Sequence, residues 1–311
     1  MNILFTNAGR RTYLVDFVVD LKKQYEDINL FVSDTSIQTA AMYVSKEIKS
    51  LITPRVDTNE VKYAENLLEQ CIKNEIDVLI PLMDFELLAL AKHKRLFESN
   101  NIKIWVSEYD TILNCLDKKK NYYFCIENSI PIPESWFFNY KIEKTIIKKK
   151  ILGSGSVGLQ KISSNEEFSF IENEDMLQTF VSGREIGMDV FNDYEGNFVH
   201  ACFREKILMR AGETDKARSF DSEVFMEYAK YISQIFRHVG NMDIDFIETT
   251  DGDIYFIDFN PRFGGGYPYT HLSGPNYLKY IIENSIGIKP EQPKFIKSIT
   301  GMKGLKLYYY E

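Results

Sequence analysis

Cysteine and histidine are scarce and scattered in this chain. The four cysteines (Cys71, Cys115, Cys125, Cys202) form no C-x-x-C pair, and the four histidines (His93, His200, His238, His271) are equally dispersed. This argues against a zinc site and against a Cys–His nucleophile, and leaves oxygen donors to hold any metal. Thiols used this sparingly fit a reduced, cytoplasmic protein. No apolar run approaches the roughly 20 residues of a membrane-spanning helix. The start, Met1-Asn2-Ile3-Leu4-Phe5-Thr6, lacks the basic-then-apolar layout of a signal peptide. Positive charge is also in deficit, 37 Lys and Arg against 45 Asp and Glu, for a net charge of −8. Nucleic-acid binding needs a basic footprint to displace counterions, so it is not expected here. Nucleotides need only a few local cations and backbone N–H groups, so they remain open.

Two glycine fingerprints are missing as well. Asn7-Ala8-Gly9-Arg10-Arg11 closes the first expected strand without a G-x-G-x-x-G pattern, which counts against a nicotinamide-dependent oxidoreductase. Leu152-Gly153-Ser154-Gly155-Ser156-Val157-Gly158 is not followed by Gly-Lys-Ser/Thr, so it is no Walker loop.

What is present suits a soluble enzyme: 311 residues, 44% hydrophobic and 26% charged, enough for two or three domains. The first hundred residues alternate short apolar runs (2–6, 30–33, 49–52, 76–81, 103–106) with amphipathic stretches (12–25, 59–74, 85–99). That alternation implies crossover units and a parallel sheet, with ligands at the strand C-termini near Gly9, Arg10, Arg11, Asp34, Asp84 and Glu86, any of which, Asp84 above all, could instead cap a helix. The pattern changes after about residue 115. A helix over 117–128 is followed by Ile130-Pro131-Ile132-Pro133, which must be extended. Strands are expected over 145–150, 175–181, 185–191, 198–206, 243–249 and 253–259, with a helix over 222–239.

Three motifs carry chemistry. Lys148-Lys149-Lys150 before a Gly/Ser loop offers cations and unobstructed backbone donors to a polyanion, although a plain flexible hairpin reads equally well. Asp258-Phe259-Asn260-Pro261-Arg262-Phe263-Gly264-Gly265-Gly266 places a carboxylate and a carboxamide on one strand face, suited to a hard cation. Asp243 and Asp245 share a face of the neighbouring strand. The triple glycine is expected where backbone must pass close to a ligand. The third motif, Arg204 to Glu213, interleaves basic and apolar residues. By itself it reads as a solvated strand edge; beside a metal site Arg210 could meet an anion or a developing oxyanion.

Taken in order, these features resemble the ATP-grasp superfamily, most closely the carbamoyl-phosphate-synthetase-large-subunit-like carboxylate–amine ligases. The likeness runs from Phe5-Thr6-Asn7-Ala8-Gly9-Arg10-Arg11 to the glycines at 264–266. It implies an α/β (α+β) fold: a Rossmann-like pre-ATP-grasp domain at 1–113, a small lobe or lid at 114–182, and a large lobe with the metal site at 183–311. The resemblance assigns Lys118 and Lys149 to phosphate neutralisation. It makes Gly153, Ser154, Gly155, Ser156, Val157 and Gly158 the loop closing over the nucleotide. Gln178, Thr179, Phe180 and Val181 become the strand whose backbone reads adenine, and Glu185 the ribose carboxylate. Asp245, Asp258 and Asn260 become metal ligands, with Asp where relatives usually have Glu at 258. Arg262 faces the transferred phosphoryl group, and Arg210 joins Arg262 and Lys149 as a catalytic candidate. Arg10, Arg11, Glu86, Arg204, Lys206 and Glu213 are candidate substrate residues. ATP and two Mg²⁺ ions (or Mn²⁺) are implied, with small-molecule carboxylate and amine substrates, no membrane partner, and room for a homodimer. The implied activity is ligation through an acylphosphate with release of ADP and phosphate. The alternative is a degenerate ATP-binding regulatory or scaffold subunit.

Overall fold

The computed structural model describes residues 1–138, 144–153, 158–163, 174–210 and 212–310. The first apolar runs form five strands, β1 (Asn2–Thr6), β2 (Asn29–Asp34), β3 (Lys49–Ile52), β4 (Val78–Pro81) and β5 (Lys103–Ile104). They pair parallel in the order β3-β2-β1-β4-β5. Helices α1 (Thr12–Leu21), α2 (Glu60–Lys73) and α3 (Asp84–Glu98) make the crossovers, α2 being capped where the Asn59 side chain accepts from the Lys62 N–H. Alternation along β1 divides the packing. Leu4 joins Tyr63, Leu67, Leu87 and Leu90 on one face, while Ile3 and Phe5 join Leu14, Val15 and Val18 on the other. A sheet covered on both faces reads as continuous apolar runs, which is why these strands were legible.

Helices α4 (Tyr109–Leu116) and α5 (Lys118–Glu127) meet at Asp117, whose carboxylate accepts from the Lys119 and Lys120 N–H groups. A small antiparallel sheet follows, with strands β6 (Ser135–Trp136), β7 (Ile146–Lys150), β8 (Gln160–Ile162) and β9 (Asp175–Thr179) in the order β6-β9-β7-β8. Trp136, Ile146, Ile162 and Leu177 form its core.

The third sheet has the order β14-β13-β10-β11-β12-β15 and is antiparallel throughout. Its strands are β10 (Arg184–Asn192), β11 (Phe198–Arg210), β12 (Glu213–Phe220), β13 (Gly240–Glu248), β14 (Ile254–Asn260) and β15 (Thr300–Met302). Helix α6 (Glu223–Phe236) covers one face with Phe225, Ala229, Ile232 and Phe236, packed on Ile186, Met188, Phe203, Ile244, Phe246, Phe256 and Phe259. The alternate positions Asp189, Arg204, Asp243 and Asp245 therefore lie on the opposite face. Helices α7 (Tyr267–Leu272) and α8 (Tyr277–Ser285) follow. Tyr267, Tyr277, Leu278 and Ile281 join the cluster that holds Ile3 and Phe5, so the third unit docks on the first.

Several elements lie outside the sequence expectation. β11 continues to Arg210 rather than ending near 206, and its partner β12 was not expected because Glu213-Thr214-Asp215-Lys216-Ala217-Arg218 carries almost no apolar signal. The expected helix over 222–239 ends at Phe236, because Arg237 takes a left-handed conformation with φ 46°. The short elements α4, β6, β8, α7, α8 and β15 likewise lie outside the expectation. No helix among the described residues is long and apolar enough to cross a membrane.

Candidate active site

The register of β13 and β14 sets the site. Asp243 lies opposite Asn260 and Asp245 opposite Asp258, so four polar side chains share one face. Immediately beyond, Phe246 pairs with Phe256, which leaves Ile257 as an extra residue in a β-bulge. The bulge lets Ile257 and Asp258 both line a cavity that strict alternation would give to only one of them. It also frees the Ile257 carbonyl, which accepts from Lys149 Nζ at 3.3 Å.

Lys149 comes from β7, where alternation points it away from the Asp175 carboxylate that Lys148 and Lys150 share, although Lys150 also borders the cavity. Lys148 and Lys150 reach Asp175 at 3.0 and 3.1 Å. Burial lowers the Lys149 ammonium to about 8, partly offset by attraction to Asp258, with nearby Lys118 lowering it further. Lys118 donates to the Gly153 carbonyl at 2.7 Å. Arg262 follows β14 directly. It donates to Asp84 Oδ2 at 3.0 Å and to Asp243 Oδ2 at 3.4 Å.

These residues line one cavity of about 410 Å³. Lys149 and Lys150 come from β7, Gly153 and Leu159 from residues between β7 and β8, and Lys118 from the start of α5. The large sheet contributes Glu185, Lys206, Met209, Glu213, Thr214, Asp243, Asp245, Ile257, Asp258 and Asn260, and its connecting segments contribute Gly212, Arg262, Gly265 and Gly266. The first unit adds Arg10, Arg11, Met83 and Asp84. The apolar members Leu159, Met209, Ile257 and Met83 were not expected. Leu159 and Met209 are exposed large hydrophobics, and Ile257 enters only through the bulge, which leaves no signal in the sequence.

Among the described residues no group of three or more His, Cys, Asp or Glu could hold a metal ion. The candidate donors are instead two carboxylates and a carboxamide. They suit a hard cation such as Mg²⁺ or Mn²⁺, because Asp245 Oδ1 is buried without a hydrogen-bond partner and points to an unmet need for positive charge. Its other oxygen meets Lys206 at 2.7 Å, and Lys206 also donates to Glu185 at 2.9 Å. Burial raises the Asp245 carboxyl to about 6 against the pull of Lys206.

Other expected residues fall elsewhere. Glu86 does not line the cavity: it is fully buried and accepts from Asn7 Nδ2, the Tyr63 hydroxyl and the Leu82 and Met83 N–H groups. Arg204 is also buried, 1% exposed, and bonded to Asp189 at 2.6 Å and to Asp243, so it sits behind the cavity wall. Arg210, expected at the reacting centre, is 69% exposed and paired with Asp215 at 3.1 Å, because β11 carries it past the cavity. Lys206 does line the cavity, but its charge is spent on Asp245 and Glu185. Gln178, Thr179, Phe180 and Val181 do not line it; the Gln178 amide turns to Ser135 Oγ at 3.0 Å. Gly158 does not line it either, and Ser154, Gly155, Ser156 and Val157 lie outside the described residues.

The triple glycine has a reason other than the one expected. A Cβ on Gly264 would stand 1.9 Å from Asp243 Oδ2, and one on Gly266 would stand 1.9 Å from Arg204 Nε. These two glycines make room for buried charged side chains of the protein itself. Gly265 faces the cavity beside Glu213, and Gly266 borders it too, between the cavity and the Arg204 guanidinium. Arg11 and the Tyr13 hydroxyl hold the loop from the first unit, donating to the Phe263 and Gly264 carbonyls at 2.7 and 3.0 Å.

Comparison with known proteins agrees with this architecture. Residues 115–266 match the family model of the ATP-grasp domain, and residues 3–120 match that of the PylC-like N-terminal domain. The chain thus carries an ATP-grasp domain over residues 115–266. This ATP-grasp chain is 26% identical to the alpha subunit of mitochondrial methylcrotonoyl-CoA carboxylase from Rattus norvegicus over 171 residues, 48% of this chain and 24% of that protein. It therefore spans about a quarter of the length of the curated relative it matches. Among solved structures it resembles N5-carboxyaminoimidazole ribonucleotide synthetase from Thermotoga maritima, with a TM-score of 0.68 at 17% identity, covering 96% of this chain and 79% of that one. It also resembles biotin carboxylase from Campylobacter jejuni, with a TM-score of 0.73 at 15% identity, covering 96% and 74%. A third is L-amino acid ligase from Bacillus licheniformis, with a TM-score of 0.66 at 15% identity, covering 94% and 75%. At these identities the likeness establishes the ATP-grasp fold.

Proposed function

We propose that this chain is an ATP-dependent ligase that joins a carboxylate to an amine, with release of ADP and phosphate. The observation that supports this most is the convergence on one cavity of Lys118 from the start of α5, Lys149 from β7, and Asp258, Asn260 and Arg262 from β14 and the residues after it. A carboxylate is a poor electrophile, and expelling oxide from it at neutral pH is prohibitive. Phosphorylation gives an acylphosphate that an amine can attack. Phosphoryl transfer needs positioning and charge neutralisation rather than a protein nucleophile, which suits a site built without a Ser–His or Cys–His pair.

In this reading residues 1–113 dock the substrate end, 114–182 form the lid, and 183–311 carry the metal face. Lys118 and Lys149 neutralise phosphate oxygens, and Leu159, Met209 and Ile257 offer an apolar wall for the base. Asp245, Asp258 and Asn260 would hold divalent cations, whose charge would neutralise that of the phosphates. Arg262 faces the transferred phosphoryl group. Arg10 and Glu213 belong to the substrate end.

Purified protein screened for phosphate release against paired carboxylates and amines tests this reading. Activity is expected with at least one pair, and it should be lost in an Asp258→Ala, Asn260→Ala double variant that keeps the wild-type melting temperature. Turnover unchanged in that variant would sink the proposal.

A further inference from the structure

Arg262 is held by carboxylates of two different units. Asp243 Oδ2, on its own sheet, lies 3.4 Å from Nη1, which is long for a charge-assisted bond, and the same carboxylate is also engaged by Arg204. Asp84 Oδ2, from the first residue of α3, lies 3.0 Å from Nη2 and is the firmer contact. Both side chains of this pair are about nine-tenths buried, with 10% and 11% exposure. The backbone of Arg262 is fixed locally, by a bond from its N–H to the Asn260 carbonyl at 2.7 Å. The guanidinium is therefore aimed from outside its own lobe.

Asp84 is not needed to cap its helix. The Leu82 and Met83 N–H groups at that end are both taken by Glu86 Oε1 at 3.1 Å, and Asp84 Oδ1 is buried with no hydrogen-bond partner. A buried carboxylate with one satisfied oxygen costs stability unless its charge is used. Its use here is the arginine 178 residues further along the chain.

We infer that Asp84 is a positioning residue: through its carboxylate, the docking of the N-terminal domain sets the orientation of the Arg262 guanidinium toward the terminal phosphoryl group. This rests on the proposed reading of Arg262 and goes beyond it, because it makes the first domain part of the phosphoryl-transfer apparatus. Without Asp84 the guanidinium is drawn to Asp243 alone, back toward the sheet.

The full chain and its Asp84→Asn, Asp84→Glu and Arg262→Lys variants are titrated with the magnesium complexes of AMP-PNP and of ADP, and their melting temperatures are recorded. Asp84→Asn is expected to weaken AMP-PNP about tenfold, the value of one charge-assisted hydrogen bond, with ADP affinity retained and the melting temperature lowered by the opening of a buried ion pair. Asp84→Glu keeps the charge and should recover part of the loss, while Arg262→Lys should weaken AMP-PNP at least as much. A bystander charge would act in the opposite direction, since removing a carboxylate near a polyanion tightens binding. Unchanged or tighter AMP-PNP binding in Asp84→Asn, alongside a loss in Arg262→Lys, overturns the role of Asp84 alone. Equal weakening of both nucleotides reduces Asp84 to a structural residue and also overturns it. An unchanged nucleotide preference in Arg262→Lys removes the reading of Arg262 itself.

Discussion

Asp243 stands opposite Asn260 on the β13–β14 ladder, yet its carboxylate serves two arginines, Arg204 and Arg262, rather than the centre of the cavity. Burial alone would raise its carboxyl, but the two guanidinium groups hold it below the usual carboxylate value. The neighbour on the same strand, Asp245, has a single lysine partner and goes the other way, up to about 6. One acidic pair thus divides into a structural member and a member open to a cation.

Asp243→Asn should therefore behave as a stability variant. It leaves Arg204 with Asp189 only, and breaking a buried ion pair from one side costs about 3 kcal/mol. Urea unfolding should show that loss, while Mn²⁺ affinity, followed by electron paramagnetic resonance in the presence of ADP, should fall far less than in Asp258→Asn. A loss of Mn²⁺ binding without a loss of stability would make Asp243 a metal ligand instead.

The glycines after β14 give a paired prediction. Gly266→Ala drives a methyl group into the Arg204 guanidinium, which is locked by two carboxylates and cannot swing away. Overpacking of this kind costs about 1–3 kcal/mol. At Gly265 the new methyl meets only Glu213 at 3.4 Å, so stability should change by less than about 0.5 kcal/mol. Thermal unfolding of the two variants checks the difference, and equal midpoints would contradict the close packing of Arg204.

How much of this was legible in the sequence depends on whether the signal was local. The parallel sheet was readable because β1, β2 and β4 are buried on both faces and written as apolar runs. The shared face of Asp258 and Asn260 follows from a period of two, and so does the separation of Lys149 from Lys148 and Lys150 once β7 is known to be a strand. Long-range partners were not readable. Nothing near Arg204 announces Asp189 and Asp243, so a buried structural arginine passed for a substrate residue. Nothing near Glu86 announces Asn7 and Tyr63. Ile257 reaches the cavity through a bulge that depends on pairing rather than composition, and β12 is a strand whose polar residues pack only because β11 and β15 flank it.

Glu86 can be tested on that basis. Glu86→Ala removes an acceptor shared by four donors: the Tyr63 hydroxyl and two backbone N–H groups lose their partner, while Asn7 Nδ2 keeps the Tyr63 oxygen at 2.9 Å. Each unsatisfied group costs about 1–3 kcal/mol, so the variant should lose at least about 3 kcal/mol in urea unfolding. The relative affinity for ADP and AMP-PNP should stay the same in whatever fraction remains folded. A wild-type unfolding midpoint would return Glu86 to the list of substrate contacts.

Lys149 supplies a pH dependence with a defined sign. Burial lowers its ammonium to about 8, so between about 8 and the ordinary lysine value near 10.4 the unfolded chain binds more protons than the folded one. Stability contributed by this group therefore rises with pH through that window. Nucleotide binding should move in the opposite sense, because a phosphate oxygen is attracted to the ammonium and not to the neutral amine. Affinity for ADP should hold up to about pH 8 and decline above it. Lys149→Arg keeps a cation at every accessible pH, so its affinity should be flat from pH 7 to 9.5 even if the longer side chain makes it weaker overall. Calorimetric titrations of both proteins across that range decide the matter; a decline that survives in Lys149→Arg would assign the titration to a different group and take Lys149 away from the phosphates.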